Sequence, residues 1–286
     1  MVADLHLHTT ASDGTLDPEE LVVRAVALGL TTIAITDHDT AKGISRALRA
    51  GRRFGLHVIP GVEMSTVLED EEELHILGLF IDYQDPTLKR VLSALRQARW
   101  RRMQEMTRRV MKLGLQVSWS RVRELAGRGA VGRPHLARAL LEKGYVSSVG
   151  EAFSRYIGKG CPAYVPRPRL RPEEAIKLIR QVQGIPILAH PGWIARERLR
   201  KLVAEGLMGL EVFHPRHNLP TTRRLYRLAR GWSLLLTGGS DFHGLPGEGW
   251  EPGAFTIPEE YVSALLEARL SLMNRETDRA DRKKWR

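Results

Sequence analysis

Histidines and carboxylates recur along this chain at the ends of apolar segments. In His6-x-His8 and Asp241-x-His243 the paired residues lie two apart, so both point to the same side of an extended chain. So many groups converging in a folded chain would leave costly buried charge unless cations offset it. The sequence therefore predicts a site for several metal ions. The candidate ligands are His6, His8, Asp13, His38, Glu63, His75, His190, Asp241 and His243.

The donor types narrow the choice of metal. Nitrogen and oxygen ligands without thiolate favour Mn²⁺, Zn²⁺ or Fe²⁺ over Ca²⁺ or an iron–sulfur cluster. We expect two or three divalent ions, with Mn²⁺ favoured and Zn²⁺ or Fe²⁺ as alternatives. The single Cys161 predicts a reduced thiol, and the chain has no signal-like start and no long apolar run. These features predict a cytoplasmic protein with no membrane span and no obligate protein partner.

The elements that would carry these ligands alternate between strand and helix. Apolar, β-branched runs predict seven strands, and most of the candidate ligands follow a strand directly. Enzymes with parallel α/β folds build their sites at such carboxyl ends. His75 instead begins its strand, which fits if the third and fourth strands form a hairpin. The predicted strands are 2–7, 31–36, 57–63, 74–81, 185–189, 208–213 and 233–237.

A segment of different character interrupts the alternation. Residues 91–165 show helical spacing with few strand signals, and residues 91–170 hold 17 basic and 4 acidic residues. The local net charge is +13, against −2 for the remainder. We expect a core of 1–90 and 166–272, a basic helical insertion of 91–165, and a frayed charged tail of 273–286. The basic segment favours an anionic partner.

Five motifs together resemble the PHP (polymerase and histidinol phosphatase) superfamily. Their order matches that family, and they cover both ends of the chain. The resemblance implies an α/β fold that is a distorted (β/α)₇ barrel. It also implies three sets of ligands, with Glu63 bridging the first two. The motifs are Asp4–Thr9 with Ser12–Gly14, Thr36–Asp39, Gly61–Glu63, Ala189–Pro191 and Gly239–His243; the sets are His6, His8, Glu63 and Asp241, then Glu63, His75 and His190, then Asp13, His38 and His243.

Asp13 points to one subgroup of that superfamily. Many members have histidine at this position, whereas the aspartate form is similar to nucleoside 3′,5′-bisphosphate phosphatases, some of which trim RNA from its 5′ end. Gly132–His135 and Tyr164 resemble the same subgroup. The resemblance implies a phosphoesterase that acts on a small nucleotide phosphate, or on short RNA, by in-line attack of a metal-bridging hydroxide.

Five residues are the sequence's candidates for substrate contact and proton transfer. Arg133 can bind a phosphate bidentately from a helix start, which makes it the candidate clamp. His214 ends a strand and is the candidate proton donor to the leaving group. His135, His217 and Tyr164 are candidate substrate contacts.

Two other functions remain open at this stage. One is another phosphomonoesterase of the superfamily, such as histidinol-phosphate phosphatase. The other is a non-catalytic, metal-bound scaffold for nucleic acid, which would predict gaps among the ligands. No RNA-binding module is recognisable in the sequence, so long, specific RNA is not expected.

Overall fold

A computed structural model describes residues 2–68, 72–127, 129–166, 170–192, 194–245 and 249–284. The first helix begins where the sequence supplies a cap: Asp17 accepts a hydrogen bond from the Glu19 N–H, and Pro18 follows at the first helical position. No helix within these ranges is long and apolar enough to cross a membrane. The helices are α1 Pro18–Ala27, α2 Ile44–Phe54, α3 Pro86–Lys112, α4 Trp119–Ala126, α5 Arg133–Glu142, α6 Val149–Ala152, α7 Pro172–Gln181, α8 Arg196–Ala204, α9 Leu219–Gly231 and α10 Glu259–Lys284.

The strands of the described chain form one nearly closed barrel in the order β7-β6-β5-β4-β3-β2-β1-β8. Strand β4 runs antiparallel to both neighbours, and β8 runs antiparallel to β1, whereas the other pairs are parallel. A parallel bridge connects Leu7, the last residue of β1, to Phe242, which follows β7, and so brings the first and seventh strands together. The strands are β1 Val2–Leu7, β2 Thr32–Ile35, β3 His57–Val67, β4 Glu73–Leu79, β5 Ile185–Leu188, β6 Gly209–Phe213, β7 Leu235–Gly238 and β8 Ile257–Pro258.

The barrel interior is apolar at one end and polar at the other. Side chains such as Leu5, Ile59 and Ile187 pack together with Val262 and Leu265 of α10, which cover that end. Along β3 the two-residue period places Glu63 on the same face as Ile59, but nearer the opposite end. Apolar side chains fill the barrel between its two ends. The polar end is therefore a closed site and not the mouth of a pore.

The insertion has a hydrophobic cluster of its own. Met103, Met106 and Val110 of α3 pack with Leu136 and Leu140 of α5, whereas Leu88 and Leu92, at the start of α3, join the cluster around the barrel. Helix α3 therefore connects the two parts of the chain. The exact domain boundaries stay a prediction.

The architecture confirms the predicted α/β barrel with a helical insertion and corrects three details. An eighth strand, β8, adds two residues beside β1, and β3 continues past Glu63 to Val67 because β4 pairs with it along 61–67. Helix α10 continues to Lys284 through most of the segment expected to fray; residues 285 and 286 lie outside the described residues. A π-helical turn, Phe153–Ile157, was also not predicted.

Candidate metal centre

Glu63 lies at the middle of the polar end, surrounded by five histidines. Its Oε2 atom is 3.3 Å from His6 Nε2, 3.2 Å from His8 Nε2 and 3.1 Å from His38 Nδ1. Its Oε1 atom is 2.8 Å from His75 Nδ1 and 3.2 Å from His190 Nε2. The predicted hairpin of β3 and β4 is what brings His75 here, since Ser65 pairs with His75.

Two further carboxylates complete the cluster. Asp241 follows β7, and its Oδ1 atom is 3.4 Å from His6 Nε2 and 3.2 Å from His8 Nε2. Asp13 Oδ1 lies 3.6 Å from His243 Nε2. Close backbone packing makes this possible: a Cβ on Gly239 would lie 2.5 Å from the His6 backbone nitrogen, so only glycine lets the end of β7 pass His6.

The structure brings all nine predicted ligands into one connected cluster. Three overlapping groups of their ligand atoms each lie within 4.8 Å of one another, close to the sets that the family resemblance implies. His8 also joins the third group, and His38 stands in the second group in place of His190. His190 belongs to none of the three groups, but its Nε2 atom lies 3.2 Å from Glu63 Oε1. The groups are His6, His8, Glu63 and Asp241; His38, Glu63 and His75; and His8, Asp13, His38 and His243.

The donor atoms of this cluster fit bound cations. Several are fully buried and make no hydrogen bond to the described chain, including His6 Nε2, His38 Nδ1 and Glu63 Oε2. An unpaired buried polar atom costs about 1–3 kcal/mol, so several in one place require a partner outside the chain. The tautomer of His6 agrees with this, since His6 donates its Nδ1–H to Glu211 and keeps its Nε2 lone pair for a metal. His243 likewise donates its Nδ1–H to the Asp241 carbonyl.

The charges of the cluster depend strongly on one another. Burial alone would lower the pKa of His8, but its contacts with Asp241 and Glu63 raise that pKa to about 10. Burial likewise opposes ionisation of Glu63 and Asp241, yet the surrounding histidines hold both carboxyl pKa values well below their usual range. The carboxylates therefore stay negative near neutral pH.

Metal affinity is expected to rise with pH, because a metal ion competes with a proton for His8. Because the folded pKa of His8 lies above the usual 6.5, its proton is held at neutral pH and is lost only as pH passes about 10. A metal that binds His8 must displace that proton, so affinity should rise by up to about tenfold per pH unit between pH 6.5 and 10. Calorimetric titration with Mn²⁺ in buffers of different ionisation enthalpy measures the released protons. Binding without proton release would contradict this assignment of His8.

Buried carboxylates behind the ligands hold them in place. Glu211 accepts the His6 Nδ1–H at 2.8 Å and the His190 backbone N–H at 2.7 Å. Asp4 accepts from Ser240 and from the His6 and Gly253 backbones, and burial raises its pKa to about 6 against these hydrogen bonds. Glu211 lies near the end of the predicted strand 208–213, but sequence reasoning did not place it among the functional residues. The same strand-end signal could have identified it.

A cavity of about 610 Å³ opens over the cluster and is strongly basic on its other wall. The insertion supplies Arg99, Arg102, Arg133, Arg138 and His135 to this wall. Arg99 is buried and donates to Asp39 Oδ2 at 2.6 Å and to Ser65 Oγ at 2.9 Å. Sequence reasoning missed Arg99 and Arg102 of α3 and Arg138 of α5, because the arginines of a helix give no local sign of which one faces a distant barrel.

Two of the predicted substrate contacts line this cavity. Arg133 donates to both carboxylate oxygens of Glu73 at 3.2 Å, and its guanidinium lies 5.3 Å from the Phe153 ring centroid. His135 accepts the Gly132 N–H through Nδ1 at 2.9 Å, so its neutral form carries a proton on Nε2. That proton makes His135 a hydrogen-bond donor, as an anion requires.

The other three candidates do not line the cavity. His214 is buried; its Nδ1 accepts the Arg216 N–H, and its Nε2 lies 3.4 Å from Asp241 Oδ2. The His217 Nδ1–H points to the Val212 carbonyl, and the Tyr164 ring lies 5.7 Å from the Arg102 guanidinium. The proton-donor role of His214 and the substrate contacts of His217 and Tyr164 stay predictions.

A barrel that presents buried histidines and carboxylates to a basic cavity defines a metal-dependent hydrolase of phosphate esters. The family model described as "PHP domain" matches residues 4–156, more than half of the chain. This chain belongs to the PHP family.

Curated relatives are similar over most of both chains. The 5′-3′ exoribonuclease Rnm of Escherichia coli (strain K12) is 40% identical over 85% of this chain and 85% of its own length. The phosphoribosyl 1,2-cyclic phosphate 1,2-diphosphodiesterase of Eggerthella lenta is 33% identical over 85% and 95%. The 3′,5′-nucleoside bisphosphate phosphatase of Chromobacterium violaceum is 33% identical over 86% and 88%.

The fold is also that of a solved structure described as a metal-dependent phosphoesterase, from Bifidobacterium adolescentis. The TM-score is 0.85 at 31% sequence identity, over 93% of this chain and 96% of the other. The predicted family and the metal-dependent phosphoesterase activity are thereby confirmed.

Proposed function

We propose that the protein removes the 3′-phosphate of nucleoside 3′,5′-bisphosphates and trims short 5′-phosphorylated RNA from its 5′ end. The observation that carries this proposal is one cavity with two anion-binding walls. The metal cluster forms one wall, and four arginines with His135 form the other. A substrate with two phosphates on one nucleoside suits such a cavity, and the names of two relatives agree with it.

One bond cleavage accounts for both activities. Removing a 3′-phosphate breaks the bond between phosphorus and the 3′ oxygen of the nucleoside. Releasing the first nucleotide of RNA with its 5′-phosphate breaks that same bond, and the phosphate then stays on the next nucleotide. A 5′-phosphate held by the arginine wall would position either substrate identically.

The chain's own residues prepare the site for this reaction. Divalent ions held by the nine ligands, Mn²⁺ in our proposal, would activate water as the nucleophile and neutralise the phosphate charge. Asp39 and Ser65 fix Arg99 in the cavity wall, which reduces the entropy lost when a phosphate binds. His135 can donate from Nε2, and Arg133 can donate with two parallel bonds once it leaves Glu73. A cytoplasmic location remains part of the proposal.

A substrate comparison tests the proposal directly. The Mn²⁺-loaded protein is incubated with adenosine 3′,5′-bisphosphate, a 5′-phosphorylated decaribonucleotide, a phosphoribosyl 1,2-cyclic phosphate and histidinol phosphate. We expect phosphate from the first and mononucleotides from the second, with kcat/KM at least about tenfold above the other two. Faster hydrolysis of the cyclic phosphate would favour the activity named for the Eggerthella lenta relative and overturn ours.

Arg133→Ala is expected to weaken binding of the bisphosphate more than it slows the reaction. A hydrogen bond between charged groups is worth about 1.5–3 kcal/mol, so KM should rise by about tenfold or more while kcat changes little. Arg108→Ala is the matched control, because Arg108 is an exposed arginine of the insertion that pairs with Glu105 outside the cavity. Steady-state kinetics measure both constants. A fall in kcat at unchanged KM would argue against a clamp.

A further inference from the structure

A second, smaller cleft adjoins the metal cavity. It has a volume of about 340 Å³, and Arg99 lines both spaces. Lys42, just before α2, forms one side, and Arg96, Trp100 and Arg101 of α3 form another. We call this space the Trp100 cleft. Its size lies at the lower end of the range for small-ligand sites, so it suits one nucleotide rather than a folded partner.

Of the four cations that line the Trp100 cleft, only Arg99 is paired with a carboxylate of the described chain, Asp39. No carboxylate lines it, and Lys42, Arg96 and Arg101 form no ion pair within the described ranges. The neutral Thr40 hydroxyl, 3.4 Å away, is the hydrogen-bond acceptor of Arg96. Elsewhere on the insertion, Arg121 pairs with Glu124 and Glu142. Unpaired cations around one concave surface attract an anion.

Trp100 adds a surface on which a base can stack. Trp100 is 38% exposed, so part of its ring is open to solvent. Trp119 packs edge-on against it at 5.0 Å, and the Arg123 guanidinium lies 5.0 Å from its ring centroid. These contacts hold the ring in place before any ligand binds. Proteins that bind single strands combine such aromatic rings with a basic groove.

We propose that the Trp100 cleft binds a second nucleotide of single-stranded RNA whose terminal nucleotide occupies the metal cavity. Lys42, Arg96 and Arg101 bind its phosphate, and its base stacks on Trp100. Arg99 lines both spaces, so the two lie next to each other. The inference rests on the proposed function and extends it: the enzyme binds oligonucleotides more tightly than mononucleotides. Short RNA remains the expected substrate, and the Trp100 cleft adds one basic, aromatic subsite for its second nucleotide.

Binding measured without cleavage tests the cleft independently of activity. Fluorescence anisotropy follows a labelled 5′-phosphorylated decaribonucleotide in the presence of a chelator. Trp100→Ala should weaken binding by about tenfold, within the usual range for base stacking. The double variant Lys42→Ala/Arg96→Ala should reduce the slope of log K against log salt by about 0.7 for each phosphate that the variant no longer neutralises. Arg90→Ala is the matched control, because Arg90 is exposed on the same helix and lines neither space.

Each result supports or overturns the cleft. Trp100→Phe should restore most of the affinity, since a ring remains, and circular dichroism establishes that each variant is folded. Affinity equal to that of the unaltered protein overturns the proposal, even if RNA is hydrolysed. An equal loss for adenosine 3′,5′-bisphosphate, used as a competitor, also overturns it, because the cleft would then serve the first nucleotide. If no nucleotide is hydrolysed, the proposed function fails while anisotropy still decides the cleft.

Discussion

Glu63→Gln is expected to remove nearly all activity together with the stabilisation of the protein by metal. The Glu63 carboxylate is the only one of the described chain that approaches five histidines, at 2.8–3.3 Å. Glutamine keeps the volume but removes the charge and one acceptor oxygen. Loss of an outer partner of a metal ligand already lowers metal affinity or activity by about 10–100-fold. Loss of this central ligand should therefore lower activity by more than about 100-fold.

The metal content of Glu63→Gln separates this effect from misfolding. We expect elemental analysis to find at least one ion fewer per chain than in the unaltered protein. Addition of Mn²⁺ should raise the melting temperature of the unaltered protein but much less that of the variant, since a ligand stabilises only the state it binds. Glu205→Gln, which changes an exposed carboxylate paired with Lys177, is the control. Normal metal content and activity in Glu63→Gln would refute the bridging role.

The convergence of the nine candidate ligands could be predicted because their signals are local. Strand periodicity and polar residues at strand ends are both read from a few neighbouring residues, and parallel packing then brings those ends together. His75 needed one further assumption, the hairpin of β3 and β4, which the antiparallel register confirms. The short β8 and the last turns of α10 carry weaker signals, since two residues make no period and residues 274–284 are almost all polar or charged.

The residues that line the basic wall and the Trp100 cleft could be predicted less well, because their positions depend on how the insertion packs on the barrel. Arg99 and Trp100 are neighbours on α3, yet one is buried in the cavity wall and the other is exposed in a separate cleft. Lys42 is far from Trp100 in the sequence, and only the folding of the chain brings the two to the same cleft. Such contacts join residues far apart in sequence, and local spacing does not encode them.

Backbone strain at the site is equally invisible in the sequence. Asp39, His190 and Asp241 are non-glycine residues with φ of 51°, 32° and 52°. Such conformations are costly and persist where the surroundings enforce them. At His190 the enforcing contact is the backbone N–H bond to Glu211, at 2.7 Å. Glu211 thus determines the backbone of one predicted ligand while orienting the ring of another, His6.

Glu211→Gln is therefore expected to weaken metal binding by about 10–100-fold, as loss of an outer carboxylate partner usually does. Burial opposes ionisation of Glu211, but the charge of His6 keeps its pKa below the usual value, so the native group is a carboxylate with two acceptor oxygens. Glutamine has one acceptor oxygen and an amide, which would face either the His6 or the His190 donor.

The readouts for Glu211→Gln distinguish positioning from catalysis. Because Glu211 is fully buried and does not line the cavity, KM for the substrate should be unchanged, and saturating Mn²⁺ should restore most of kcat. Titration with Mn²⁺ gives the affinity, and nitrogen NMR of the His6 ring reports its tautomer. A kcat that stays low at saturating metal in a folded variant would show that Glu211 acts in the reaction itself. Unchanged affinity would show that the His6 tautomer does not depend on this carboxylate.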